Sequence, residues 1–136
     1  MCIVMHSPEV ARSRLKSWRE IASYYEAAME TPAMKNWTKL RDFARGVESK
    51  PYSHTLASVG TLGSILVFRD AECVAEKGYF LIGCSPTNEP SDIRLGFLTS
   101  QEHGTAKLSA YSDAQSAIQA FERGLEEHGF IARSGA

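Results

Sequence analysis

The sequence predicts an α+β fold: an N-terminal αα-hairpin packed on an antiparallel sheet of about three to five strands, followed by a C-terminal helix. Three observations carry this expectation. Two segments before Pro51 repeat apolar residues at helical spacing, short runs rich in strand formers follow Pro51, and a last stripe of helical period links Ala114, Ala117, Ile118, Phe121 and Leu125. Neither early helix can bury its own stripe and the strands need a cover. A single domain over residues 1–136 with one shared core is therefore expected.

Cys2-Ile3-Val4-Met5 reads as a short first edge strand, and Ser7-Pro8-Glu9 as a helix start, with a capping hydroxyl, a first-turn proline and an early acid. From there Ala11, Leu15, Trp18, Ala22, Tyr25 and Met29 recur at steps of four and three, which predicts one continuous helix. Thr31-Pro32 ends it and caps a second helix burying Ala33, Trp37, Leu40, Ala44 and Val47, with Phe43 beside them. That helix falters near Gly46 and Pro51, and the two form a hairpin with almost no loop.

Gly60 and Gly63, flanking Thr61-Leu62, read as a flexible entry into the sheet. Ser64 to Phe68 and Tyr79 to Ile82 are continuous apolar runs, paired as an antiparallel hairpin across the polar stretch from Arg69 to Gly78. After a surface loop around Asn88 to Asp92, Ile93, Leu95 and Phe97 alternate with Arg94 and Gly96, marking a strand with one face on the core. Beyond Gly104 two readings stand. Either Thr105 to Ala110 is a strand and Ser112 or Asp113 caps the last helix, or one helix runs from about Thr105. The first is preferred, because Ser109, Ser112 and Asp113 are poor interior helix residues and good caps. His128-Gly129 ends that helix, and Phe130-Ile131-Ala132 reads as a final short strand.

A formal charge of −1 over 136 residues disfavours a nucleic-acid partner, because the phosphate backbone is normally met by a large positive surplus. The charge is unevenly spread. Residues 1–50 hold nine Lys and Arg against six acids, and the remainder six against ten, so a basic helical half faces an acidic sheet half. Three cysteines without CxxC spacing argue against a disulfide framework and a zinc site, and fit a reducing, cytoplasmic setting. No apolar run approaches membrane length and no leader pattern opens the chain, so no membrane association is expected.

Gln101-Glu102-His103-Gly104-Thr105-Ala106 fits Q-x-x-G-x-A and resembles the pyrophosphate-binding turn of the GNAT acetyltransferases. The coarse order of elements is also similar to the first part of that family's fold. The resemblance implies acyl-CoA as cofactor, held at Gln101, Gly104 and Ala106. The family starts its helix directly after the turn, which requires the less favoured reading of residues 105–112, and this chain ends early for that fold. Removal of Met1 would leave Cys2 beside a free amine, which resembles the start of the N-terminal-nucleophile hydrolases, although Ile3 replaces the glycine of their amidotransferase members.

His6, His54, His103 and His128 lack HxxxH or HExxH spacing, and no metal site is expected. His103, in a polar turn between sheet elements, is the candidate catalytic residue. Trp18, Tyr25 and Trp37 fall on the apolar stripes. Tyr24 lies off them, so Tyr24, Arg14 and Arg45 are the candidate partner contacts. The leading expectation is a small cytosolic protein-interaction or regulatory module without a cofactor, acting on a protein partner or as a homodimer through an open sheet edge or the hairpin. The alternative is a small-molecule enzyme on the same scaffold, acyl-CoA-dependent at Gln101 to Ala106.

Overall fold

A computed structural model describes residues 8–28, 37–61, 64–73, 77–83, 92–99 and 108–132. The elements run in the expected α+β order. Helices α1 (Pro8–Ser13), α2 (Trp18–Ala28) and α3 (Thr38–Glu48) precede a single 3-10 turn at Pro51–His54. Strands β1 (Ala57–Thr61), β2 (Ser64–Phe68), β3 (Tyr79–Gly83), β4 (Ile93–Leu98) and β5 (Ser109–Tyr111) follow, and α4 (Ala114–Glu127) closes the order. The sheet is an antiparallel meander in which each strand pairs with its sequence neighbours, in the order β1-β2-β3-β4-β5.

The continuous helix expected from Pro8 to Met29 is divided into α1 and α2, and the cause is local. Ser17 and Glu20 form a capping box: the Ser17 N–H donates to Glu20 Oε1 at 2.9 Å, and the Glu20 N–H donates to Ser17 Oγ at 3.1 Å. A new helix therefore starts at Trp18. Leu15, instead of extending the helical stripe, makes an antiparallel bridge to Val59. The second helix also starts later than expected, at Thr38, with Trp37 in the N-cap position. Thr31-Pro32 and Ala33 lie outside the described residues, as does the expected first strand at Cys2 to Met5.

Residues 57–61 are a paired strand and not a flexible entry: Ala57 opposes Phe68 and Thr61 opposes Ser64. Small side chains hid this strand, since Ala-Ser-Val-Gly-Thr shows almost no apolar alternation. At the other end, β5 and the Asp113 cap agree with the strand reading of the fork. The Asp113 carboxylate accepts the Ser116 N–H at 2.8 Å. Phe130 to Ala132 form a turn and not a strand. Gly129 (φ +76°) supplies the left-handed residue of a Schellman close, with Phe130 N–H donating to Leu125 O at 2.8 Å and Gly129 N–H to Glu126 O at 3.2 Å. The Arg69 guanidinium donates to the His128 and Gly129 carbonyls at 2.8 and 3.2 Å, and its Cζ stands 4.6 Å from the centre of the Phe130 ring.

Helices α2, α3 and α4 share one face of the sheet. Ile65, Val67, Phe80, Ile82, Ile93 and Leu95 meet Trp18, Ile21 and Tyr25 of α2, Leu40, Phe43 and Val47 of α3, and Phe121 and Leu125 of α4. Trp18 lies 6.2 Å, between ring centres, from both Phe43 and Phe121, which joins the three helices through aromatic contacts. Close approach is reserved for glycines. A Cβ on Gly46 would strike Ile118, and one on Gly124 would come within 2.7 Å of Phe80. The opposite face buries Val59, Leu66, Phe68, Tyr79, Leu81 and Leu98, with Cys73 among them. β2 and β3 are thus buried on both faces, which explains why their sequences run apolar without alternation.

Candidate functional site

The charged residues of the helical half divide into two groups. On and just after α3 every described cation has an acidic partner: Lys39 with Asp92, Arg41 with Asp42, Arg45 with Glu26 of α2, and Lys50 with Glu122. Around the start of α2 the cations are not matched in this way. Arg14, Lys16 and Arg19 are exposed, and among the described residues none of the three has a carboxylate within 4 Å. Arg12, beside them in sequence, donates to the Glu72 carbonyl at 3.1 Å.

The backbone that presents these cations is held by β1. Lys16 N–H donates to Ser58 O at 2.9 Å, and the Ser58 hydroxyl donates to Lys16 O, also at 2.9 Å. Ser58 is buried, so this two-way clamp fixes residue 16 against the sheet edge while the Lys16 side chain stays in solvent. One turn on, the capping box holds Glu20, whose carboxyl is pulled below its ordinary value by the Ser17 backbone N–H and then by the Ser17 hydroxyl. Its charge is committed to the helix start.

Three adjoining depressions follow this surface, and Lys16 lines all of them. The central one, about 390 Å3, is walled by Lys16, Ser17, Trp18, Arg19, Glu48 and His54, among others. A second, about 360 Å3, continues between Leu15, Thr55 and Ala71. The third, about 500 Å3, runs along α2 past Arg19, Glu20 and Ser23 to Tyr24. Tyr24 is the large apolar side chain left most open among the described residues, 42% exposed, with its ring edge-on to buried Tyr25 at 5.2 Å. Trp18 is 2% exposed and its Nε1 has no hydrogen-bond partner among the described residues. A buried donor left in that state costs about 1–3 kcal/mol.

Of the partner contacts expected from sequence, Tyr24 and Arg14 are exposed on or beside this surface, whereas Arg45 is held by Glu26 on the outer side of the helix pair. Gln101, His103, Gly104 and Ala106 lie outside the described residues, as does Cys2. Among the described residues the carboxyl groups with shifted pKa values, Glu20 and Asp113, both take part in helix-capping contacts, which account for their shifts. Among the described residues no group of three or more His, Cys, Asp or Glu is placed to hold a metal ion, and no helix is long and apolar enough to cross a membrane. Lys16, Arg19 and His54 were not singled out from sequence. The available signal was Ser17-x-x-Glu20, which breaks the helix and turns residues 14–19 into a corner. Comparison with protein-family models, with curated protein sequences and with solved structures gave no significant match.

Proposed function

We propose that this protein is a protein-interaction or regulatory module that docks an acidic segment of a partner protein on the surface formed by Arg14, Lys16, Arg19 and Tyr24. One observation carries the reading: cations on and just after α3 each have a carboxylate within 4 Å, while among the described residues Arg14, Lys16 and Arg19 have none, Lys16 acting on Glu20 only at longer range. Unpaired surface charge gives little to stability and much to encounter and register. Tyr24 adds a rigid aromatic contact at the end of the same track. The clamp to Ser58 supports docking further, because a preorganised surface loses less conformational freedom on binding.

The test is fluorescence anisotropy with a labelled Asp/Glu-rich decapeptide, a Ser/Gly control of equal length and a single-stranded DNA of similar charge. The acidic peptide is expected to bind, to weaken as salt rises, and to lose about tenfold in affinity in Arg14→Glu and in Arg19→Glu. Equal affinity for the neutral control overturns the reading. Tighter binding of the DNA overturns it in favour of a nucleic-acid partner.

A further inference from the structure

We infer that the central cavity beneath this surface is a binding site for a small oxyanion metabolite, with a phosphate or carboxylate at one end and a hydroxyl or amine at the other. Its walls come from four places in the chain: the α2 entry (Lys16, Ser17, Trp18, Arg19), the end of α3 (Glu48), the 3-10 turn (Ser53, His54) and the β1 approach (Leu56, Ser58). Its volume of about 390 Å3 falls within the range of small-ligand cavities.

The hydrogen-bonding inventory of the wall selects the ligand chemistry. Two of its hydroxyls are already used as donors within the fold, Ser58 to Lys16 O and Ser53 to Glu48 O. The remaining side chains include three donor groups, the Lys16 ammonium, the Arg19 guanidinium and the His54 imidazole, while the Ser17 hydroxyl is engaged with Glu20. Trp18 also forms part of the wall, while its indole N–H, like that of Trp37, is sealed from solvent and is not one of these donors. A wall with two cations and few free acceptors matches the charge of an oxyanion. Glu48 is the sole carboxylate on that wall, and a ligand hydroxyl or amine beside it would find an acceptor there. Trp18 and Leu56 supply the apolar side against which its carbon skeleton rests.

The site shares Lys16 and Arg19 with the docking surface, and Arg14, which lies outside the cavity wall, distinguishes the two. The experiment is a titration of the full-length protein with inorganic phosphate and, separately, with malate at constant ionic strength. It is followed through the two tryptophan indole N–H resonances, assigned with Trp37→Phe. The Trp18 resonance is expected to shift saturably at millimolar concentration with at least one anion, and the tighter of the two identifies the acid group preferred. Arg19→Ala and His54→Ala are expected to weaken that binding by about tenfold, as loss of a charge-assisted contact predicts, while Arg45→Ala leaves it unchanged. The inference is overturned if neither anion moves the Trp18 resonance, or if Arg45→Ala weakens binding as much as the cavity variants. Arg14→Glu separates the two proposals, since it acts on peptide docking and not on anion binding.

Discussion

Asp113 illustrates how a single side chain sets a boundary and a pH response together. Its carboxylate accepts the Ser116 N–H at 2.8 Å and the Ser116 hydroxyl at 3.3 Å, contacts that hold its pKa below the ordinary carboxylate value. A depressed folded-state pKa means stability that is fully present above the unfolded value and is lost as pH falls through the folded one. Asn is also a good cap but carries no charge. The urea midpoint of Asp113→Asn is therefore expected to fall less steeply on acidification, with the gap from the parent largest near neutral pH and closing below the depressed pKa. Parallel slopes down to strongly acidic pH would show that Asp113 does not contribute. Tyr52 is a contrasting case. Burial, and then the Glu122 carboxylate that accepts its hydroxyl at 2.8 Å, push the phenol above its ordinary value, so it stays neutral throughout the pH range in which proteins are handled.

At the scale of elements, the junction between α1 and α2 joins local chemistry to the proposed binding surface. The Ser58 hydroxyl and carbonyl both engage Lys16, and Ser58→Ala removes one of the two bonds while leaving the β1 backbone intact. The expected outcome is a loss of about 1 kcal/mol and faster tryptic cleavage after Arg14 and Lys16 under native conditions. Unchanged cleavage would show that the Lys16 backbone is held by other contacts. The element types were largely legible in the sequence, because the 3.6-residue stripes of α2, α3 and α4 and the apolar runs of β2 and β3 report burial directly. The break before Trp18 was masked, since Leu15 continues the helical spacing by coincidence while its actual contact is Val59 of β1. The same break hid the candidate surface. Periodicity reports which face is buried, whereas the pairing of cations on α3 and the absence of such pairs near residue 16 depend on residues distant in sequence, such as Asp92 and Glu122.

Across the whole molecule, the sheet is the shared wall of two apolar clusters. The first draws on α2, α3, α4 and four strands. The second occupies the reverse face of β2, β3 and β4 and extends to β1, so neither cluster can be lost without exposing the other's backing. Thermal unfolding is expected to be a single transition, with calorimetric and van't Hoff enthalpies equal and with tryptophan fluorescence coincident with far-UV circular dichroism. Helix loss preceding the fluorescence change would mean that the helical layer is a separate unit.

The order in which the chain is made gives the meander a consequence of its own. Each strand pairs with the strand just synthesised, so β1 to β5 can assemble stepwise as they leave the ribosome, with little cost for closing long loops. The helices have no such advantage. α2 and α3 precede β2, β3 and β4, which cover Trp18, Phe43 and Leu40, and Phe121 of α4, which completes their aromatic contacts, follows all five strands. Until β2, β3 and β4 follow, the tryptophan-bearing apolar surface of α2 and α3 is uncovered, the stage at which a chaperone would bind it.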